Sequence, residues 1–268
     1  MLVVGVNFDL SLKPIHYASV SGGKDSLYML GLILNHPEKY PLDMVVNFDL
    51  EIEWKVAKDV VFAMQERCEK ANIKFVKIKP RKSYDELYAK YGLPNGLPNG
   101  FARWCNNMYK LDCKYQLNDW VSKQNCRPVA YIGLCADEKK RFKYEIGDWK
   151  NQDVCYPLAE EGISEHEILL WARKQSVFQG YYDSLDRMGC MACPMASMIE
   201  WAYLLQKEPE YYAMTITKIK ETERMVAEKG RKYLFKGMTG DEFDNLIRNK
   251  WLRILENKQN YRQMTLFD

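Results

Sequence analysis

Histidine is the scarcest functional residue in this 268-residue sequence, with only His16, His36 and His166. Any metal site must therefore draw mainly on other ligands. No window approaches about 18 uncharged apolar residues, which excludes a membrane-spanning helix. The stretch Met1–Leu10 has no basic residue and contains Asp9, so it does not read as a signal peptide, and a cytoplasmic location is expected. Low-complexity disorder is excluded by an aromatic content of 13% and by the lack of any long polar tract. Nor is there a charge excess. Lys and Arg number 39 against 36 Asp and Glu, a net of +3, too mild to imply nucleic acid by itself. What is plentiful is cysteine, at eight residues. In a reducing compartment these are buried hydrophobes, redox groups or metal ligands rather than a disulfide framework.

Residues 15–80 alternate between strand and helix patterns. Ile15–Val20, Asp43–Phe48 and Lys74–Ile78 are β-prone runs. Lys24–Asn35 and Glu53–Ala71 carry apolar residues at helical spacing, and Pro128–Leu134 supplies a fourth strand. This repetition predicts an α/β fold with a Rossmann-like, parallel, doubly wound sheet. The doubled Leu-Pro-Asn-Gly of residues 93–100 is a loop, of the kind that often covers a substrate. Beyond about residue 155 the pattern turns helical. Ser164-x-x-Glu167 and Thr239-x-x-Glu242 read as capping boxes, and 198–229 reads as helix interrupted at Pro209. The expected organisation is a nucleotide-binding α/β domain over 1–155, a helical region over 156–262 and a tail peptide over 263–268.

The sharpest local signal is Ser21-Gly22-Gly23-Lys24-Asp25-Ser26, between the first strand and the first helix. Two glycines let the backbone turn tightly and approach a ligand closely. The amides at the helix start then face an anion, with the helix dipole adding to the attraction. Lys24, Ser21 and Ser26 supply further donors for phosphate oxygens. It is not a Walker A loop, because Ala18 stands where the first glycine belongs and Asp25 follows the lysine. The plain alternative is a Gly-Gly turn with no ligand.

This hexapeptide resembles the PP-loop of the ATP pyrophosphatase superfamily, whose fold is the adenine nucleotide alpha hydrolase-like sheet. Within it the chain resembles the phosphoadenosine-phosphosulfate reductase-like group. Further matches are Asn47-Phe48-Asp49-Leu50-Glu51, Arg103-Trp104-Cys105 with Lys110, and Gly133-Leu134-Cys135-Ala136-Asp137-Glu138 running on to Arg141. Arg187-Met188-Gly189-Cys190-Met191-Ala192-Cys193-Pro194 completes the set. The matches span roughly 15–195, in family order. The resemblance implies an ATP set of Ser19, Ser21, Gly22, Gly23, Lys24, Asp25, Ser26, Asn47, Asp49, Gly133, Asp137 and Glu138. It implies catalytic roles for Lys24, Asp25, Arg103 and Arg141, with Asp25 and Asp49 placed for Mg2+ or ribose; a strand-end cap is the alternative for Asp49.

Among the cysteines, Cys190-x-x-Cys193 is a tight pair flanked by glycine and proline, which suits a turn around a metal. Cys105 is the remote partner that the family pattern matches. Cys113 follows eight residues later, about two helical turns on, and is a further possible ligand outside that pattern. Thiolates from two places suit an iron–sulfur cluster or a zinc site, and a redox dithiol at Cys190/Cys193 is the other option. Cys68, Cys126, Cys135 and Cys155 read as core. Resemblance to tRNA-thiolating members implies a 4Fe-4S cluster on three cysteines, with one iron open to carry sulfide. The group's sulfonucleotide reductases use a tail cysteine, and none follows Cys193 here.

Gln263-Met264-Thr265-Leu266-Phe267 resembles sliding-clamp docking peptides, with Leu266 and Phe267 as apolar anchors and a packed terminal hook as the alternative. Lys139-Lys140-Arg141-Phe142-Lys143 mixes charge and aromatics in a way that suits phosphate contacts, whereas Lys229–Lys236 reads as a solvated face. The expected function is an ATP-dependent adenylating or pyrophosphatase enzyme that transfers sulfur to a nucleic acid, tRNA or DNA. The implied sulfur donor is a cysteine desulfurase. The alternatives are a thiol-dependent sulfonucleotide reductase and a non-catalytic nucleotide-binding module tethered to the clamp.

Overall fold

The structure is a computed structural model and describes residues 11–94, 104–142, 153–230 and 232–264, with side chains to 260. The chain divides into two compact units that interleave in sequence. The first comprises the described residues up to Leu50, Trp54–Pro80 and Asp112–Tyr182; the second comprises Glu51–Glu53, the described residues of Arg81–Leu111, and those from Asp183 onward.

The first unit is a five-stranded, wholly parallel sheet: β1 (Lys13–Val20), β2 (Met44–Phe48), β3 (Lys74–Ile78), β4 (Cys126–Tyr131) and β5 (Asp153–Cys155). Their order across the sheet is β3-β2-β1-β4-β5. Helices α1 (Lys24–Asn35) and α2 (Lys55–Lys70) make the first two crossovers. After β3 the chain returns to the far side of β1. A right-handed crossover in that reversed direction must pass over the opposite face. Leu117 and Val121, on the helix Leu111–Lys123, do lie there, against Tyr17, Met44, Val46 and Ala130. Side chains alternate along a strand, so Ala18 and Val20 face the other way, where α1 packs on β1. Burial on both faces explains why Met44–Asn47 is buried without a break.

The boundary expected near 155 falls inside this unit. The short helix Pro157–Glu160 and the helix Glu165–Arg173 pack back against α1. β5 escaped the sequence reading because it is only three residues long.

The second unit is helical. Helix Tyr84–Tyr91 starts on a Ser83/Glu86 capping box, and residues Cys105–Lys110 are wound as a π-helix. Met198–Lys207 and Pro209–Ala227 break at Pro209 as expected, and Gly240–Leu246 and Leu252–Met264 follow. Both boxes read from the sequence are formed, at Ser164 in the first unit and Thr239 here. Trp201 centres the core, its ring 5.1 Å from Phe243 and 5.3 Å from Phe235. Among the described residues no helix is long and apolar enough to cross a membrane.

One polar residue holds the end of β1. Asn47 is 2% exposed, and its side-chain amide donates to the Val20 carbonyl at 3.0 Å, the last residue before the glycine loop. Asn47→Leu leaves that carbonyl buried without a donor and is expected to cost about 1–3 kcal/mol, read from urea unfolding.

Candidate functional site

The strand order reverses at β1, so the connections after β1 and after β4 part at one crevice. In open α/β sheets that crevice is where ligands bind. The hexapeptide lies there, and its geometry leaves no slack. Gly22 has φ +75°, and a Cβ on it would stand 2.4 Å from the Ala57 carbonyl oxygen. Gly133, after β4, would place a Cβ 3.2 Å from the backbone of Asp25. Glycine is required at Gly22 twice over, by conformation and by space.

Gly23 occupies the N-cap of α1 and offers no side chain to it. The first-turn amides are thus left to other partners, and the Lys24 N–H donates to the Tyr182 hydroxyl at 2.9 Å. Ser26 Oγ accepts from the Ser21 N–H at 3.2 Å and lies 3.1 Å from Ser21 Oγ, closing the loop into a ring. A helix start with no side-chain cap and two hydroxyls beside it has the kind of donors that an anion needs.

The Lys24 side chain is almost wholly buried, at 1% exposure, and its Nζ donates to Asp25 at 3.0 Å and to Glu165 at 3.3 Å. Burial by itself would push its pKa down. The two carboxylates outweigh burial and hold it above its ordinary value. Cys135 Sγ lies 3.7 Å from Asp25 Oδ1, and burial followed by the Asp25 charge pushes that thiol far up.

Other residues expected at the nucleotide make structural contacts. Asp137 accepts from the Glu165 N–H at 3.1 Å, at the start of Glu165–Arg173. Glu138 accepts from the Cys135 N–H at 3.0 Å and pairs with the exposed Arg141. Asp49 pairs with Lys79 at 3.7 Å. Ser19 is half-buried on β1. Arg103 lies outside the described residues, as do Lys143 and most of the Leu-Pro-Asn-Gly loop. Of the tail, Gln263 and Met264 end the last helix, and Thr265–Asp268 lie outside. Glu165 and Tyr182 were missed by the sequence reading. They reach the loop across 141 and 158 residues, and no local pattern marks them.

The thiols fall in two groups. Cys190 and Cys193 belong to the second unit, half-buried, with Cys105 at the head of the π-helix. Burial pushes the Cys190 thiol up to about 11. The Lys110 ammonium opposes this, whereas Cys193, Glu53 and Cys105 add to it. Cys190 therefore feels both other thiols. The turn that carries the pair is strapped down. Arg187 reaches Glu200 at 3.3 Å and the Met195 carbonyl at 3.1 Å, while the Met191 N–H donates to the Ile52 carbonyl at 2.8 Å. Tyr84, tilted against Trp104 and edge-on to Tyr109, feels Cys105 and Cys190. The Tyr84 pKa is raised, first by burial, and among its neighbours is Tyr233, whose buried hydroxyl has no hydrogen-bond partner among the described residues. The sequence places Lys236 in a solvated run. It sits instead half-buried in a tight turn between Phe235 and Met238; burial lowers its pKa, while the charges of Cys193 and Glu200 raise it.

Cys113 belongs to the first unit. It is fully buried on the helix that covers the sheet, and its Sγ donates to the Ile78 carbonyl at 3.4 Å. The two-turn alignment with Cys105 presumes α-helical winding, and Cys105–Lys110 is wound more widely. Cys68, Cys135 and Cys155 are buried as expected, while Cys126, at the start of β4, is only half-buried.

The donor chemistry of Cys105, Cys190 and Cys193 is all sulfur, with an ammonium close by, which fits a thiolate-bound iron–sulfur group. Among the described residues no three His, Cys, Asp or Glu side chains converge tightly enough to hold a metal ion as they stand.

No family model matches the chain, and no curated protein matches it. Among solved structures the chain is similar to the U34-tRNA thiolase NcsA from Methanococcus maripaludis with its 4Fe-4S cluster. The two are 18% identical with a TM-score of 0.38, over 82% of this chain and 75% of that one.

Two outcomes follow from the loop. Gly22→Ala is expected to destabilise the first unit by about 2 kcal/mol or more, from strain plus the Ala57 clash, measured by urea unfolding. The second concerns Lys24, whose folded pKa lies above its unfolded one. Its stabilisation is complete below the unfolded value of about 10.4 and is lost as pH rises through the folded value. The melting-temperature gap between wild type and Lys24→Met should hold constant from neutral pH and shrink only in that alkaline range.

Proposed function

We propose that the chain is a PP-loop ATP pyrophosphatase that activates an oxygen of a nucleic acid by adenylation and then delivers sulfur to the activated position. The observation that carries this reading is the loop Ser21–Ser26. It is held at the sheet's switch point, with Gly22 pressed on Ala57, an uncapped helix start and a buried lysine. In the adenylation step the acceptor oxygen bonds to the α-phosphorus, the α–β bond breaks, and pyrophosphate leaves with its electron pair. No oxidant or reductant is needed.

The α1 amides, with Ser21 and Ser26, bind the leaving pyrophosphate and hold it in line. Lys24 offsets the charge that grows on it, aimed by Asp25 and Glu165. Asp25 is the carboxylate that would hold Mg2+, with Arg103 and Arg141 assigned to the phosphates. Asn47 acts by fixing the strand end, and Asp137 and Glu138 by holding the facing loop. Cys105, Cys190 and Cys193 would hold the cluster, which when bound supplies a place to carry sulfur for transfer. Cys113 serves the core of the sheet.

The test is pyrophosphate release from ATP by anaerobically purified protein, with and without RNA. Asp25→Asn should abolish release. Replacing Cys105, Cys190 and Cys193 by Ser should remove bound iron and sulfide and end sulfur transfer while ATP-dependent pyrophosphate release continues. Full release by Asp25→Asn, or sulfur transfer by a colourless zinc-loaded protein, would defeat the proposal.

A further inference from the structure

A surface far from the expected motifs in sequence combines charge and aromaticity. β3 is the last strand of the sheet order, and beside it runs a groove of about 380 Å³. Lys74 and Lys77 of β3 and Lys79 just past its end line it on one side, and Gln116, Leu117 and Trp120 of the covering helix on the other. No acidic side chain lines it among the described residues. Trp120 is 41% exposed, and the Lys74 ammonium sits 5.4 Å from its ring centroid. Lys79 reaches Asp49 at 3.7 Å at the far end.

Lysines on an edge strand have an ordinary use, since they keep the strand from pairing with another chain. That use accounts for the lysines but not for a large indole left exposed in a groove between them. Cations spaced along a channel beside a partly exposed aromatic ring are what a single-stranded nucleic acid requires. The ammonium groups follow the phosphates and the ring takes a base of any sequence.

We propose that this groove is a docking surface for single-stranded nucleic acid, with Trp120 stacking a base and Lys74 and Lys77 pairing with phosphates. The inference rests on the reading that the substrate is a nucleic acid, and it names where that substrate is gripped. The contact is sequence-tolerant, so it supplies grip and register while selection falls to other contacts.

The experiment is fluorescence anisotropy of a dye-labelled oligouridylate titrated with the full chain between about 50 and about 200 mM salt. Trp120→Leu should weaken binding about fivefold or more, and Trp120→Phe should retain most of it. The double variant Lys74→Glu, Lys77→Glu should weaken binding at least tenfold and flatten the salt dependence by about 0.7 for each phosphate that is no longer neutralised. Lys79 is left intact because it touches Asp49. The melting temperature should be unchanged in all three, which reports correct folding. Wild-type affinity in Trp120→Leu and the double variant would overturn the groove while leaving the nucleic-acid reading intact. A wild-type chain that binds neither RNA nor single-stranded DNA would overturn both. If it instead binds an extended peptide along β3, the groove is a strand-pairing edge and the proposal fails.

Discussion

The first unit depends on one tight approach, the contact of the Gly22 backbone with the Ala57 carbonyl, where a single added carbon would stand 2.4 Å away. A parallel sheet with helices on both faces brings strand ends and helix starts together at its switch point. How close they come is set by the smallest side chain between them. Glycine at Gly22 lets α2 sit against the loop, and glycine at Gly133 lets the connection after β4 lie over Asp25, where an added Cβ would stand 3.2 Å from its backbone. The loop is therefore wedged from two sides by backbone, which neither rotates away nor changes rotamer. This gives the helix start a fixed direction before any ligand arrives, and preorganised donors of that kind stabilise developing charge without a reorganisation cost.

Placing a lysine in that wedge carries a penalty of its own. An ammonium taken out of water costs several kcal/mol unless it is paired and hydrogen-bonded. Lys24 meets this with Asp25 next to it and Glu165 from a helix 141 residues on. The segment after β5 thus belongs to the sheet unit for an electrostatic reason as well as through its packing on α1. Tyr182 adds to the same arrangement by accepting the Lys24 N–H. Two carboxylates on one ammonium leave the local charge net negative.

What the sequence made legible is what local physics decides. Apolar runs of four to six residues with helical stretches between them define the parallel sheet, because strands buried on both faces cannot alternate. Ser-x-x-Glu marks a helix start through hydrogen bonds three residues apart, so Ser164 and Thr239 were readable, and Ser83 and Ser197 obey the same rule. The glycine loop was readable because its conformation is written into its residues. The partners of polar side chains were not. Asn47 and Asp137 stand in motif positions expected at a nucleotide, yet Asn47 holds the Val20 carbonyl and Asp137 the Glu165 amide. Both look the same in sequence as ligand contacts, since only the packed chain decides which atom comes within hydrogen-bonding distance. Lys236 illustrates the converse, a charge in a basic run that a tight turn leaves half-buried, where it feels the charge of Cys193.

The same distinction separates the cysteines. Composition alone makes eight equivalent thiols, and burial divides them by what each would lose on leaving its place. Cys113 and Cys135 are both fully buried and each already has a contact inside the sheet unit, with the Ile78 carbonyl and the Asp25 carboxylate. Cys190 and Cys193 sit on a turn whose shape is fixed by other residues: Arg187 on Glu200 and Met195, and Met191 on Ile52. Their sulfurs are not needed to hold the turn together. A thiol is available for chemistry when the fold around it stands without it. By that criterion the strapped Cys-x-x-Cys turn keeps its shape through Arg187, Glu200 and Met191, whatever its two thiols bind.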